Sequence, residues 1–225
     1  MKNLFFLLLI LPLTSCTKQE LGWFIISPNN VEGLTNLKFL LGGLTTTIYI
    51  SVVSIIVSAI IGFVIAIPSL AKNKFLTYIN IGYVEIVRAI PLLVLILWIY
   101  YGLPIMTGIS FSPFVSGIIA LSISESAFQA EIFRAGINSI KKAQWEAGSS
   151  LGFNFFKRLR LVILPQAIKN ILPALGNQFV YVLKMSSLVS IIGIGDLTRK
   201  ANELVVSTYR PLEIYTFLIL EYLIL

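Results

Sequence analysis

A chain of 225 residues that is 57% hydrophobic and only 12% charged, with a mean hydropathy of +0.91, carries more apolar surface than one soluble domain keeps from water. Its net charge of +7 is explained without nucleic acid, by basic residues flanking membrane spans on the cytoplasmic side. One cysteine and no histidine exclude an intrachain disulfide framework, Cys/His zinc sites and any hydrolase that needs a histidine base.

Residues 1–15 read as a signal-peptide-like segment: Lys2 precedes an apolar run over residues 4–13, which is too short to span a bilayer. Leu13-Thr14-Ser15-Cys16 resembles a bacterial lipobox, in which Cys16 is lipidated; the alternative is an uncleaved signal with a chance cysteine. Residues 17–38, with Pro28, Asn29, Asn30 and Gly33, read as an extracytoplasmic segment. Residues 39–225 form the transmembrane domain. Its first span covers residues 39–70, where small residues suit close helix packing. Lys72 and Lys74 put the end of that span in the cytoplasm.

The second apolar segment, residues 78–103, is interrupted by EIVRAIP. There Glu85 and Arg88 can pair at i, i+3, and Pro91 is predicted to bend the helix. A short outside loop, PIMTGISFSPF, leads to a third span at residues 115–133 containing Glu125, Gln129 and Glu131, with Arg134 three residues beyond Glu131. A cytoplasmic loop, residues 135–170, carries Lys141, Lys142, Lys157, Arg158, Arg160 and Lys169. A fourth span at 171–194 contains Lys184. The stretch GDLTRKANELVVSTYRP is read as outside, although Arg199, Lys200 and Arg210 are exceptions to the charge rule. The last apolar segment, residues 212–225, covers roughly 21 Å at 1.5 Å per residue against a core of about 30 Å. It is therefore expected to be cut short or partly covered. The reading is an all-α membrane protein with about five transmembrane helices, its mature N-terminus outside and its C-terminus cytoplasmic.

The basic loop has its own grammar. Ser139 is predicted to cap a short helix containing KKAQWEAGSSLG, and Ala147, Gly148, Ser149 and Ser150 are small enough for another surface to approach. Gly152 can end that helix with a positive φ. Asn154 can cap a second helix, FFKRLRLVIL, which Pro165 is expected to interrupt. The result is a helical docking plug.

Glu146-Ala147-Gly148, three residues, Gly152, nine residues, then Val162-Ile163-Leu164-Pro165 resembles the EAA motif of ABC importer permeases. AEIFRAGINSI, EIVRAIPLL and LPQAIKNILPALGNQFVYVLKMSSLVSIIGI resemble the subfamily that imports polar amino acids of the histidine, glutamine and arginine type. The resemblance implies a type I importer permease fold in the bacterial cytoplasmic membrane, and a coupling role for Glu146, Ala147, Gly148, Gly152, Leu164 and Pro165. It implies four kinds of partner: a separate ABC ATPase subunit that holds ATP-Mg, a periplasmic or lipid-anchored amino-acid-binding protein, a second permease copy or sister permease, and membrane lipids. No cofactor is expected on this chain, which has no Walker G-x-x-x-x-G-K-[ST] motif, and no enzymatic activity is expected of it. Departures from the family pattern are Gly148 for the second alanine, Val162 for isoleucine, and KMSSL where relatives often carry Lys-Asp-Thr-Ser-Leu.

A carboxylate inside a span is costly unless it meets a cavity or a partner. Glu125 therefore either lines the amino-acid path, or makes a structural hydrogen bond or a pair with Lys184. Gln129, Asn177, Lys184, Ser186 and Ser187 are candidates for the same path, with interhelical bonding or anchoring as the alternative. Glu131–Arg134, like Glu85–Arg88, reads as a structural pair. A passive channel explains the spans but not the spaced Glu–Gly–Leu-Pro segment. An intramembrane protease would need paired aspartates, and Glu85, Glu125 and Glu131 do not supply them.

Overall fold

The computed structural model describes residues 21–70 and 74–225. The signal-like segment, Cys16 and Lys72 lie outside the described residues. The described chain is helical, without strands. After a 3-10 turn at Trp23–Ile26 come α1 (Val31–Leu70), α2 (Lys74–Ala89), α3 (Leu92–Thr107), α4 (Pro113–Asn138), α5 (Lys142–Ser150), α6 (Phe155–Ile192), α7 (Leu197–Thr208) and α8 (Pro211–Ile224).

Helix α1 begins eight residues before the expected span. The Asn30 side chain accepts from the Gly33 amide, and Glu32 sits in the positive first turn. Its 40 residues extend about 60 Å, well beyond a bilayer core. Helix α4 lies along it and is its principal neighbour. At their closest approach, a Cβ on Gly62 would lie 2.8 Å from the Ser126 carbonyl oxygen. Gln129 donates to Ser58 Oγ at 2.6 Å there. The apolar core above this contact includes Ile50, Ile96, Leu121 and Val189.

Pro91 breaks the second apolar segment, as expected, and α2 and α3 meet at 91°. The Glu85–Arg88 pair does not form among the described residues. Both side chains are exposed, and the Arg88 guanidinium lies over the Phe128 ring at 4.8 Å, a cation–π contact that reaches across to α4. Glu131 and Arg134 do pair, through two hydrogen bonds.

Ser139 does not cap α5. Its hydroxyl donates to the Gly136 carbonyl and accepts from Asn170 Nδ2 at 2.8 Å, and Lys141 occupies the cap position without a side-chain bond. Nor does Pro165 interrupt the second helix. A π turn at Leu159–Ile163 precedes it, and the helix continues through Leu164–Met185. The same arrangement recurs in α3, where Pro104 follows a π turn at Trp98–Gly102. The extra residue in each π turn accommodates a ring that would otherwise clash with the preceding turn.

By length and apolarity, α1 and α6 qualify as spans, with the bent α2–α3 pair as a third. Five were expected. Helix α4 is long enough, but it carries Glu125, Gln129, Glu131 and Arg134, of which Glu125 and Gln129 are buried against other helices. Helix α8 has only 14 residues.

The two ends of the bundle differ. At one end Leu70 packs with Ile137, Leu159 and Ile163, beneath α5. At the other, the Gly22 amide donates to Glu213 of α8, and Ile25 packs with Leu204 and Ile214. The three cations that are exceptions to the charge rule are all engaged at this second end. Arg199 pairs with Glu203 at 2.7 Å, Arg210 lies 3.7 Å from Glu213, and Lys200 sits over the Phe39 ring at 4.1 Å.

Adjacent glycines in α1 provide an internal control. A Cβ on Gly43 would meet the Leu197 backbone nitrogen at 2.7 Å, whereas nothing lies within 4 Å of one on Gly42. Gly43→Ala is expected to destabilise the protein by about 1–3 kcal/mol, since the α7 backbone must shift. Gly42→Ala should be neutral or slightly stabilising. Thermal unfolding of the two variants in detergent checks this; equal melting temperatures would contradict the packing described.

Candidate functional site

The candidate coupling segment is built around one aromatic contact. Trp145 of α5 stacks on Phe155 at the base of α6, with centroids 6.0 Å apart and 20° between the rings. Arg158, one turn further along α6, donates to Ser149 and holds its guanidinium 5.9 Å from the Trp145 ring. Gly148 is buried because Arg158 passes directly over it: a Cβ there would lie 2.9 Å from Arg158 Cγ. The surface that approaches this small residue is thus the chain's own α6. Glu146 and Ala147 are exposed, and Glu146 reaches Lys142 at 3.3 Å. Gly152 turns the chain with φ at +74° and Asn154 accepts from the Lys157 amide at 2.9 Å, both as the sequence suggests. Leu164 packs into the cluster of Ile137, Leu159 and Ile163, and Pro165 is exposed at the cluster's edge.

The second candidate region is a polar layer between α4 and α6. Glu125 is 1% exposed and accepts a hydrogen bond from Gln178. One turn along both helices, Phe128 meets Tyr181, with centroids 6.4 Å apart. Lys184 does not pair with Glu125; it is exposed, as is Asn177, on the outer face of α6. Glu125 itself is covered by Gln178 and does not face open space. Gln129 is fully buried, its amide bonded to Ser58 and the Ile55 carbonyl of α1, so it packs α4 against α1. The hydroxyls of Ser186 and Ser187 donate to the Leu183 and Lys184 carbonyls of their own helix. Sequence reasoning missed Gln178, although it is next to Asn177, because only the relative rotation of α4 and α6 reveals which of the two amides turns inward. It missed Arg88 as a neighbour of this layer for the same reason.

The family model described as the binding-protein-dependent transport system inner membrane component matches residues 58–225. The chain belongs to this family. Curated relatives include the arginine transport system permease protein ArtQ of Bacillus subtilis, 37% identical over 80% of this chain and 82% of its own length. The probable glutamine ABC transporter permease protein GlnM of the same organism is 38% identical over 84% and 88%. Among solved structures, a chain of an amino acid ABC transporter crystallised with histidines superposes with a TM-score of 0.77 at 39% identity, covering 85% of this chain and 89% of that one. The inward-facing MetNI methionine transporter superposes at 0.70 with 18% identity, over 84% and 91% of the two chains; this supports the fold alone. The fold is that of a type I ABC importer permease, and the chain is a transport subunit of the inner membrane, with ATP hydrolysis carried by a separate subunit.

Removing a partner from a buried carboxylate costs more than the bond itself. Gln178→Leu is expected to lower stability by about 1–3 kcal/mol. Glu125→Gln combined with Lys184→Met should show no rescue over Glu125→Gln alone, because no pair is lost. A double-mutant cycle by thermal unfolding measures both; recovery of folded yield in the second case would restore the Glu125–Lys184 pairing.

Proposed function

We propose that this chain is the permease through which a polar amino acid crosses the bacterial cytoplasmic membrane. In this reading it acts as a dimer with a second copy or a sister permease, and receives substrate from a periplasmic or lipid-anchored binding protein. ATP-Mg belongs to the partner ATPase, and no cofactor sits on this chain. The family, the arginine- and glutamine-transport relatives and the likeness to an amino acid transporter with histidines all support it.

The observation that carries the mechanism is the continuity of α6. It runs 38 residues, Phe155–Ile192, about 57 Å, from beneath α5 past Gln178 to the opposite end of the bundle. The exposed Glu146–Gly152 face docks in a cleft of the ATPase, and Leu164 and Pro165 seat the other end of the motif on α6. Closure of the ATPase dimer pushes α5, Trp145 transmits the push to Phe155, and α6 tilts as one piece. The polar layer then opens to one side or the other. Asn177 and Lys184, exposed on the outer face of α6, line the path where that face meets the second permease, and Lys184 suits a substrate carboxylate. Glu125 contributes through Gln178, its negative charge favouring an ammonium or guanidinium. Gln129 holds α4 against α1, while the Ser186 and Ser187 hydroxyls stay bonded within α6.

With α5 in the cytoplasm, the end of the bundle that holds Leu70 is cytoplasmic and the Gly22–Glu213 end is outside. Helix α8 then points inward, in keeping with a mature N-terminus outside and a C-terminus on the cytoplasmic side, as the basic residues of the 135–170 loop suggest.

Two variants test this in proteoliposomes containing the assembled transporter. Gly152→Val strains a left-handed backbone position and should uncouple ATP hydrolysis from uptake while leaving membrane insertion intact; normal uptake by a well-expressed variant rejects the docking role. Glu125→Gln should lower uptake of a basic amino acid about tenfold more than that of a neutral one, the effect of roughly 1.4 kcal/mol of lost charge interaction. Equal losses reject the substrate role of Glu125.

A further inference from the structure

A half-open cavity of about 540 Å³ lies where the start of α5 meets the first turns of α6. Ser139, Lys141, Gln144, Gln166, Lys169 and Asn170 form its polar walls, and no carboxylate lines it. Its volume is in the range of small-ligand sites.

The distribution of charge around it is uneven. Arg134 is engaged on Glu131, Lys142 on Glu146, and Arg158 on Ser149 and Trp145, while Lys157 and Arg160 do not line the cavity. Lys141 and Lys169 have no ion-pair partner among the described residues, and both face the cavity. Two like charges on one small cavity repel each other unless an anion joins them.

The amides around the cavity are already partly ordered. Asn170 Nδ2 donates to Ser139 Oγ at 2.8 Å, and Gln166 Nε2 donates to Gln144 Oε1 at 3.1 Å. These two bonds brace α6 against the α4–α5 connection. They leave one N–H of Asn170 and the carboxamide NH₂ of Gln144 available as donors.

We propose that this cavity binds a phosphoryl anion, held by Lys141 and Lys169 with Gln144 and Asn170 as hydrogen-bond donors. A carboxylate would engage one ammonium well. A phosphoryl group has enough oxygens to meet both ammoniums and the amides together. The two sources of that chemistry are the headgroup of an anionic phospholipid and a soluble phosphate compound. Bound there, the anion joins Lys141 at the start of α5 to Lys169 on α6 and stiffens the joint.

The cytoplasmic position of the cavity rests on the transport reading above. Binding is measured without transport, so the two proposals fail separately. The test is native mass spectrometry of the complete transporter with its ATPase subunits, titrated with phosphatidylglycerol, with inorganic pyrophosphate, and with phosphatidylcholine as the zwitterionic control. The chain is compared with its Lys141→Gln/Lys169→Gln variant, and with Lys169→Arg, which keeps the charge if the double variant fails to assemble. At least one anionic probe should bind the native chain and Lys169→Arg alike and bind the double variant about tenfold more weakly, with phosphatidylcholine unchanged. Phosphatidylglycerol alone responding identifies a lipid headgroup site, and a response to pyrophosphate identifies a soluble anion. The proposal is overturned if neither probe binds, if both bind native and double-variant chains equally, or if Lys169→Arg loses binding where the charge is retained.

Discussion

The packing of Trp145 on Phe155 is the contact on which the working parts of this protein depend. It fixes a short, mostly exposed helix to the base of one that crosses the bundle. Without it, α5 would be held to α6 only by the turn at Gly152 and the polar contacts of Arg158 with Ser149 and of Gln166 with Gln144. Arg158 reinforces the joint by crossing over Gly148, and the cluster of Ile137, Leu159 and Ile163 closes it from the side of α4. A force applied to α5 therefore acts on a packed body and not on a loop, because close-packed interiors transmit strain.

A second constraint is the close approach of backbones within the bundle. Gly62 lets α4 lie against α1, Gly43 lets α1 reach the turn before α7, and Gly136 leaves room for Ile171 of α6. Between lipid-facing helices the hydrophobic effect contributes little, so small residues and interhelical hydrogen bonds do more of the work. Gln129 on Ser58 and Gln178 on Glu125 are such bonds, one tying α4 to α1 and the other tying α4 to α6. The outer end is closed differently. There the Gly22 amide meets Glu213, Asn36 donates to the Ile25 carbonyl, and Lys200 lies on Phe39.

What could be read from the sequence divides along physical lines. Features decided within one or two turns were legible: the bend at Pro91, the left-handed Gly152, the Asn154 cap and the Glu131–Arg134 pair. Family spacing marked residues 146–165 as a candidate coupling segment as well. Features decided between elements were not. Glu85 and Arg88 had the right spacing to pair, but the Phe128 face took the guanidinium. Ser139 had the chemistry of a cap, yet Asn170 came within reach of its hydroxyl. Pro165 had the signature of a break, and a π turn absorbed it. Glu125 was legible as a residue that needed a partner; which partner depended on the rotation of α6, which turns Gln178 inward and Lys184 outward.

The central claim is that α5 and α6 move as one body. Pulsed electron–electron spin resonance tests it most directly, with spin labels at Leu151, at the end of α5, and Ile191, at the far end of α6, both exposed, in a chain whose native cysteine has been replaced. Measured in the assembled transporter with and without ATP, the account predicts one narrow distance distribution that does not change between the two states. A distribution that shifts or splits on ATP binding would mean that the chain bends at Gly152 or at the π turn of Leu159–Ile163, and would contradict it.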